Sequence, residues 1–225
     1  MSGKKVAAVL AAAGGGRRFG AAKQFSLLRG RPLLEWSLAR FEAHPEVDEI
    51  VLVLPIPDEA LEKKYISRFH KVTATVKGGA RRQDSVRNGF QALNPGTTGI
   101  VLIHDAARPM ADAALISRVI EGARRAGAAV PAVPAEDTIK EAEGGTVVST
   151  PDRSRLFRCQ TPQGFSYSLL KQAFERADKE RWSGNDESGF VERMGAEVIL
   201  VDGDVRNFKI TTVWDMKMAE VLLED

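Results

Sequence analysis

An α/β fold, with a mostly parallel sheet covered by helices on both faces, is predicted by three features of this 225-residue sequence. Short apolar runs alternate with amphipathic helical patterns, the order of strand–helix–strand units. The runs are short and mostly apolar, as befits strands buried on both faces. One stretch breaks the alternation with a hairpin signal, which predicts a β-hairpin arm protruding from a single domain spanning 1–225.

Taken in order, residues 6–12 form the first apolar run and lead into a glycine-rich turn. Leu34, Leu38 and Phe41 follow at i, i+4 and i+7, one face of a helix. The runs 50–54, 72–76 and 100–104 are the next strands. Leu115, Val119 and Ala123 mark a helix before the run 128–133. Within 136–155, the β-prone pieces 138–140 and 146–149 flank Gly144-Gly145, the hairpin signal. A lone hairpin is marginal in water, so the arm must pack either on its own domain or on a second copy of the chain. The run 198–201 and a helical face of Met216, Ala219 and Leu223 complete the pattern. Ligands of such sheets bind beyond the carboxyl ends of the strands.

Composition excludes several functions. Thirty-two Lys plus Arg against 30 Asp plus Glu leave a net charge of +2, and 7% aromatics are few for a nucleic-acid binder, so no nucleic acid is expected. No apolar run approaches the roughly 20 residues of a membrane span, and no signal-peptide pattern is present, which predicts a cytoplasmic protein without membrane partners. One cysteine, Cys159, forms no internal disulfide and is read as a small buried residue. With only three histidines and no metal-ligand spacing, no protein metal site is expected. Charge is nonetheless uneven: Lys4, Lys5, Arg17, Arg18, Lys23, Arg29 and Arg31 all precede the first acid, Glu35. Lys4, Lys5, Arg29 and Arg31 read as a solvated face.

Three segments can carry chemistry. In the first, AAAGGGRRFGAAKQ, glycines let backbone N–H groups approach a polyphosphate, and Arg18 and Lys23 supply counter-charge. The same loop alone is equally a tight turn. It is not a dinucleotide fingerprint, since Phe19 stands where glycine is required and Pro55 where an acid should close the second strand. Nor is it a P-loop, because Ala21 follows Gly20. The second segment, HDAARP (104–109), puts Asp105 and Arg108 at a strand's carboxyl end. They suit a sugar hydroxyl or metal and a phosphate respectively, or else pair with each other to cap the turn. His104 reads as partly buried and hydrogen-bonded, not catalytic. The third, GDVRNFKIT, places Asn207, Lys209 and Thr211 on one face of an extended segment. Thr161-Pro162-Gln163 reads as a turn, and Asn185 or Asp186 as a helix cap.

Together AAAGGGRRFGAAKQF, GGARRQDSVRNGF, HDAARP, EDTIK, TPQGF, NDES and NFKIT, in this order, resemble the 2-C-methyl-D-erythritol 4-phosphate cytidylyltransferases nearly end to end. The resemblance implies a Rossmann-like domain and a homodimer joined through the hairpin arm. It implies transfer of CMP from CTP to methylerythritol phosphate with release of pyrophosphate, Mg²⁺ riding on the CTP phosphates. By matching position, Arg18, Lys23 and Lys209 are the catalytic cations. Ala12, Ala13, Gly14, Gly16, Gly79 and Ser85 contact CTP. Asp105, Arg108 and Thr161, with Thr138 and Arg153 from the partner's arm, hold the sugar phosphate. Ala22 replaces the family's usual proline, and the stretch from Arg18 to Lys23 is shorter than in many members. Rival readings are a cytidylyltransferase for ribitol 5-phosphate or another polyol phosphate, a nicotinamide-dependent oxidoreductase and a silent nucleotide sensor.

Overall fold

The computed structural model describes residues 3–14, 23–57 and 59–223. Strand β1 (Lys5–Ala11) enters the sheet centre and is followed by the small ladder β2 (Leu27–Leu28) and β3 (Arg31–Pro32), then helix α1 (Leu33–Ala43). Next come β4 (Glu49–Leu54), the single turn α2 (Glu59–Leu61), β5 (Val72–Lys77), α3 (Arg82–Gln91), β6 (Thr98–Asp105), α4 (Ala113–Ala126) and β7 (Ala128–Pro134). The arm carries β8 (Glu141–Glu143) and β9 (Thr146–Ser149). The chain returns through β10 (Phe157–Cys159) and β11 (Gln163–Ser166) to α5 (Tyr167–Lys179), α6 (Ser188–Arg193), β12 (Ile199–Asp202) and α7 (Val213–Leu222).

The main sheet runs β10-β7-β11-β6-β1-β4-β5, with β12 also on β7. The pairs β1–β4, β1–β6, β4–β5 and β7–β12 are parallel, as expected. Because successive strand residues face opposite sides, β1 feeds two cores. Ala8 and Leu10 join Leu34, Leu38 and Phe41 of α1 and Ile116, Val119 and Ile120 of α4. Ala7 and Val9 join Val86 and Phe90 of α3 and Leu170 and Phe174 of α5. Helix ends follow local chemistry: Asp112 caps α4 by accepting from the Leu115 N–H, and Gly127, at φ +86°, ends it in the left-handed region.

Two readings of the sequence are corrected. Gln163, read as the end of a turn, instead opens β11 (163–166), a strand the sequence did not show, which inserts antiparallel between β6 and β7, so those two strands do not pair directly. Phe165 drives this, since its side chain is fully buried in the second core, worth about 2–3 kcal/mol. The first strand of the arm is 141–143, not 138–140. Gly144 and Gly145, both at positive φ, make a two-residue turn that pairs Glu143 with Thr146, and this register outranks β-propensity.

Candidate active site

The carboxyl ends of β1 and β6 meet where Asp105 closes β6, its partner in register being Ala11. Asp105 is 7% exposed. Its Oδ1 accepts from Arg82 Nε at 2.8 Å and its Oδ2 from Lys209 Nζ at 2.6 Å. Burial alone would raise this carboxyl, but the charges and hydrogen bonds of Arg82 and Lys209 outweigh it and hold it well below the usual carboxylate range. Asp105 is therefore an anion throughout the neutral range, suited to accepting hydroxyl hydrogen bonds and unsuited to general-base work.

The backbone beneath Asp105 is fixed by its neighbours. The Asp105 N–H donates to Thr161 Oγ1 at 3.0 Å. His104 is fully buried, with Nε2 3.1 Å from the Arg108 carbonyl and Nδ1 3.1 Å from Thr161 Oγ1. A carbonyl only accepts, so Nε2 carries the proton, Nδ1 accepts from the threonine, and the Thr161 hydroxyl has its one proton committed to His104. Burial pushes the His104 ring down to about 3. Its folded pKa thus lies below the ordinary 6.5, so its contribution to stability is complete above about pH 6.5 and is lost as the pH falls towards 3. Urea denaturation between about pH 4 and 7 is expected to show up to about 1.4 kcal/mol per pH unit more slope for the wild type than for His104→Gln. Equal slopes would refute this assignment.

Lys209 arrives on the strap 203–211, which forms no ladder after β12. Asn207, fully buried, donates Nδ2 to the Thr161 carbonyl at 2.9 Å, and Thr211 Oγ1 donates to the Lys209 carbonyl. Asn207 and Lys209 thus reach the same Asp105–Thr161 corner, whereas Thr211 turns back onto its own strap. Lys23 Nζ donates to the Ile210 carbonyl at 2.8 Å, which brings it to the strap residue beside Lys209. On the nucleotide side, Ala12 is buried and Gly14 exposed. A Cβ on Gly78 would lie 2.2 Å from Ala13 Cβ, so glycine there permits the β1 and β5 exits to touch. The Gly79 N–H donates to Ser85 Oγ at 3.0 Å, and that hydroxyl donates to the Arg81 carbonyl, shaping the turn into α3.

Searches for similar proteins fit this geometry. The family model for IspD, 2-C-methyl-D-erythritol 4-phosphate cytidylyltransferase, matches residues 6–225. The chain belongs to this family. It is 42% identical to the cytidylyltransferase of that name from Syntrophotalea carbinolica, covering 96% of this chain and 95% of the relative. It is also 42% identical to that from Geobacter metallireducens, covering 98% of both. Among solved structures, the Thermus thermophilus cytidylyltransferase superposes with a TM-score of 0.80 at 34% identity, covering 97% of this chain and 98% of the other. The Anaerococcus prevotii 4-diphosphocytidyl-2C-methyl-D-erythritolsynthase gives 0.88 at 31% identity over the whole of both chains.

Among the residues matched to the cytidylyltransferases, Asp105, Thr161 and Lys209 form one hydrogen-bonded cluster. Lys23 joins it through the strap. The alternative Asp105–Arg108 side-chain pair does not form. Arg108 Nη1 donates to the Asn207 carbonyl at 2.8 Å, and its Nε is buried without a partner, while Arg82 takes its place on Asp105. Thr138 and Arg153 are exposed on the arm, Arg153 donating to the Glu136 carbonyl. Gly16 and Arg18 lie outside the described residues. Cys159 is exposed, not buried, because β10 is an edge strand of the sheet and all three of its residues reach solvent. Asp186 does cap the next helix, accepting from the Gly189 N–H, as the sequence allowed. Two residues went unrecognised, Arg82 and its buried partner Glu187, although both lie inside quoted segments. Arg82 directly follows another arginine at the start of α3, and Glu187 sits in a stretch read only for caps.

Proposed function

We propose that the chain transfers CMP from CTP to 2-C-methyl-D-erythritol 4-phosphate, releasing pyrophosphate and 4-diphosphocytidyl-2-C-methyl-D-erythritol. The observation that carries this reading is the joining of Asp105 and Lys209 to Lys23 at the mouth of the glycine loop. The acceptor's phosphate oxygen, already ionised at neutral pH, attacks the α-phosphorus of CTP. The bond from that phosphorus to the bridging oxygen breaks, and its electron pair leaves with pyrophosphate. No side-chain nucleophile is needed. The protein's part is in-line placement and cations around developing charge, which Lys23, Lys209 and Arg18 supply. Asp105 takes acceptor hydroxyls, Arg108 and the partner's Arg153 the acceptor phosphate, and Ala12, Ala13, Gly14, Gly16, Gly79 and Ser85 surround the nucleotide.

The described residues hold no group of three metal-ligating side chains, and both oxygens of Asp105 are taken by cations. Mg²⁺ is accordingly assigned to the reaction as part of the Mg–CTP substrate, with no resident site for it among the described residues. No helix among the described residues is long and apolar enough to cross a membrane, and the proposed site of action is the cytoplasm. The test is pyrophosphate release from Mg–CTP with methylerythritol phosphate and ribitol 5-phosphate in parallel, using ATP, GTP and UTP as controls. Turnover with CTP and methylerythritol phosphate is expected. Preference for ribitol phosphate would overturn the acceptor, and release with neither would overturn the transfer itself.

A further inference from the structure

Asp105 is the inner member of a four-residue chain of alternating charge. Glu187 opens α6, its side chain fully buried, and both its oxygens accept from Arg82 Nη1, at 2.8 and 3.0 Å. It is the N-cap residue of α6 but makes no side-chain cap hydrogen bond, so its carboxylate is committed to the guanidinium. Arg82 Nε then reaches Asp105 Oδ1, and Lys209 Nζ takes Oδ2. The Arg82–Asp105 contact is single, through Nε alone, unlike the two-pronged pair that an arginine and a carboxylate commonly make. With Nη1 held by Glu187, Arg82 presents one N–H to Asp105 and leaves the second oxygen to Lys209. Glu187 also balances the arginine's charge, so Asp105 is not captured by an uncompensated cation beside it.

We propose that Glu187 is a positioning residue for the acceptor half of the site. Acting through Arg82, it sets the orientation of Asp105 and thereby the place of Lys209. This inference rests on the reading of Asp105 as the group that takes the acceptor's hydroxyls, with Lys209 held beside it. A merely structural ion pair would also tie α3 to α6, but its loss would disturb nucleotide and acceptor alike.

The near-isosteric Glu187→Gln variant separates the two roles. KM for methylerythritol phosphate is expected to rise about tenfold while KM for CTP stays within about twofold. In an Asp105→Asn background, where the relay has lost its end, the same substitution is expected to change the acceptor KM less than about twofold. An equal rise in both KM values, an unchanged acceptor KM, or a full tenfold loss on top of Asp105→Asn would each overturn the proposal. If Glu187→Gln fails to fold, Arg82→Lys, which cannot span both carboxylates, is expected to give the same split. A readout without acceptor distinguishes failure here from failure of the reaction assignment. The Lys209 ammonium, followed by ¹⁵N NMR, is expected to exchange its protons faster in Glu187→Gln, and an unchanged Lys209 signal overturns the inference whatever the substrate. Absence of wild-type turnover would sink the assignment instead.

Discussion

Lys23→Ala is expected to lower kcat at least about a hundredfold, some 2.7 kcal/mol of transition-state stabilisation, with KM for CTP changed only a few-fold. The reason is the timing of charge. Ground-state CTP is already anionic and neutralised by its own Mg²⁺, whereas the oxygens around the α-phosphorus and the departing bridge gain charge only as the bond breaks. An ammonium that meets them there acts mainly on kcat. The structure sets Lys23 in a short helical turn, 23–25, at the exit of the glycine loop, with Nζ on the Ile210 carbonyl. This contact also ties the loop exit to the strap carrying Lys209, so thermal melting must accompany kinetics. A variant that melts near the wild type but has lost kcat supports the catalytic role. A near-wild-type kcat refutes it, and a comparable rise in KM for CTP would reassign Lys23 to ground-state binding.

The parts of this molecule legible in its sequence are those with local causes. The strands β1, β4, β6 and β7 announce themselves as apolar runs because both sheet faces are covered, while β5 and β12, partly exposed at the sheet's margins, keep a weaker apolar signal. Asp105 and Lys209 were legible as candidates from their chain positions. What joins them was not. Asp105 and Lys209 are 104 residues apart, and Arg82 and Glu187 are 105 apart. No periodicity records which acid meets which base across such distances. The alternative of an Asp105–Arg108 pair rested on nearness in sequence, and the fold instead sets Arg82 against Asp105. His104 was read correctly because its place on an otherwise apolar strand is itself a local signal. Strand β11 was hidden because only four residues separate its start from α5 and a Thr-Pro turn precedes it, too little for a pattern to show.

Mixing Arg153→Ala with Lys23→Ala protomers, each alone nearly inactive, is expected to restore up to about a quarter of wild-type activity. The arm supplies the argument. Strands β8 and β9 pair only with each other, and Ile139, Val147 and Val148 are 41%, 55% and 60% exposed. A two-stranded hairpin showing apolar side chains to water is not stable alone, which makes a second copy of the chain its proposed cover. Thr138 and Arg153 sit on this arm, and Arg153 is bonded to the Glu136 carbonyl, within the arm, not to the Asp105 cluster. If the arm delivers them to the partner's site, each active site takes Lys23 from one protomer and Arg153 from the other. Random exchange makes about half the dimers mixed, and each mixed dimer has one of its two sites intact, whence about a quarter. Sites built within one protomer give no recovery, because every site then retains one lesion. Subunit exchange must be verified with tagged chains. With exchange shown, recovery establishes a site shared across the dimer, and its absence places Arg153 outside the partner's site.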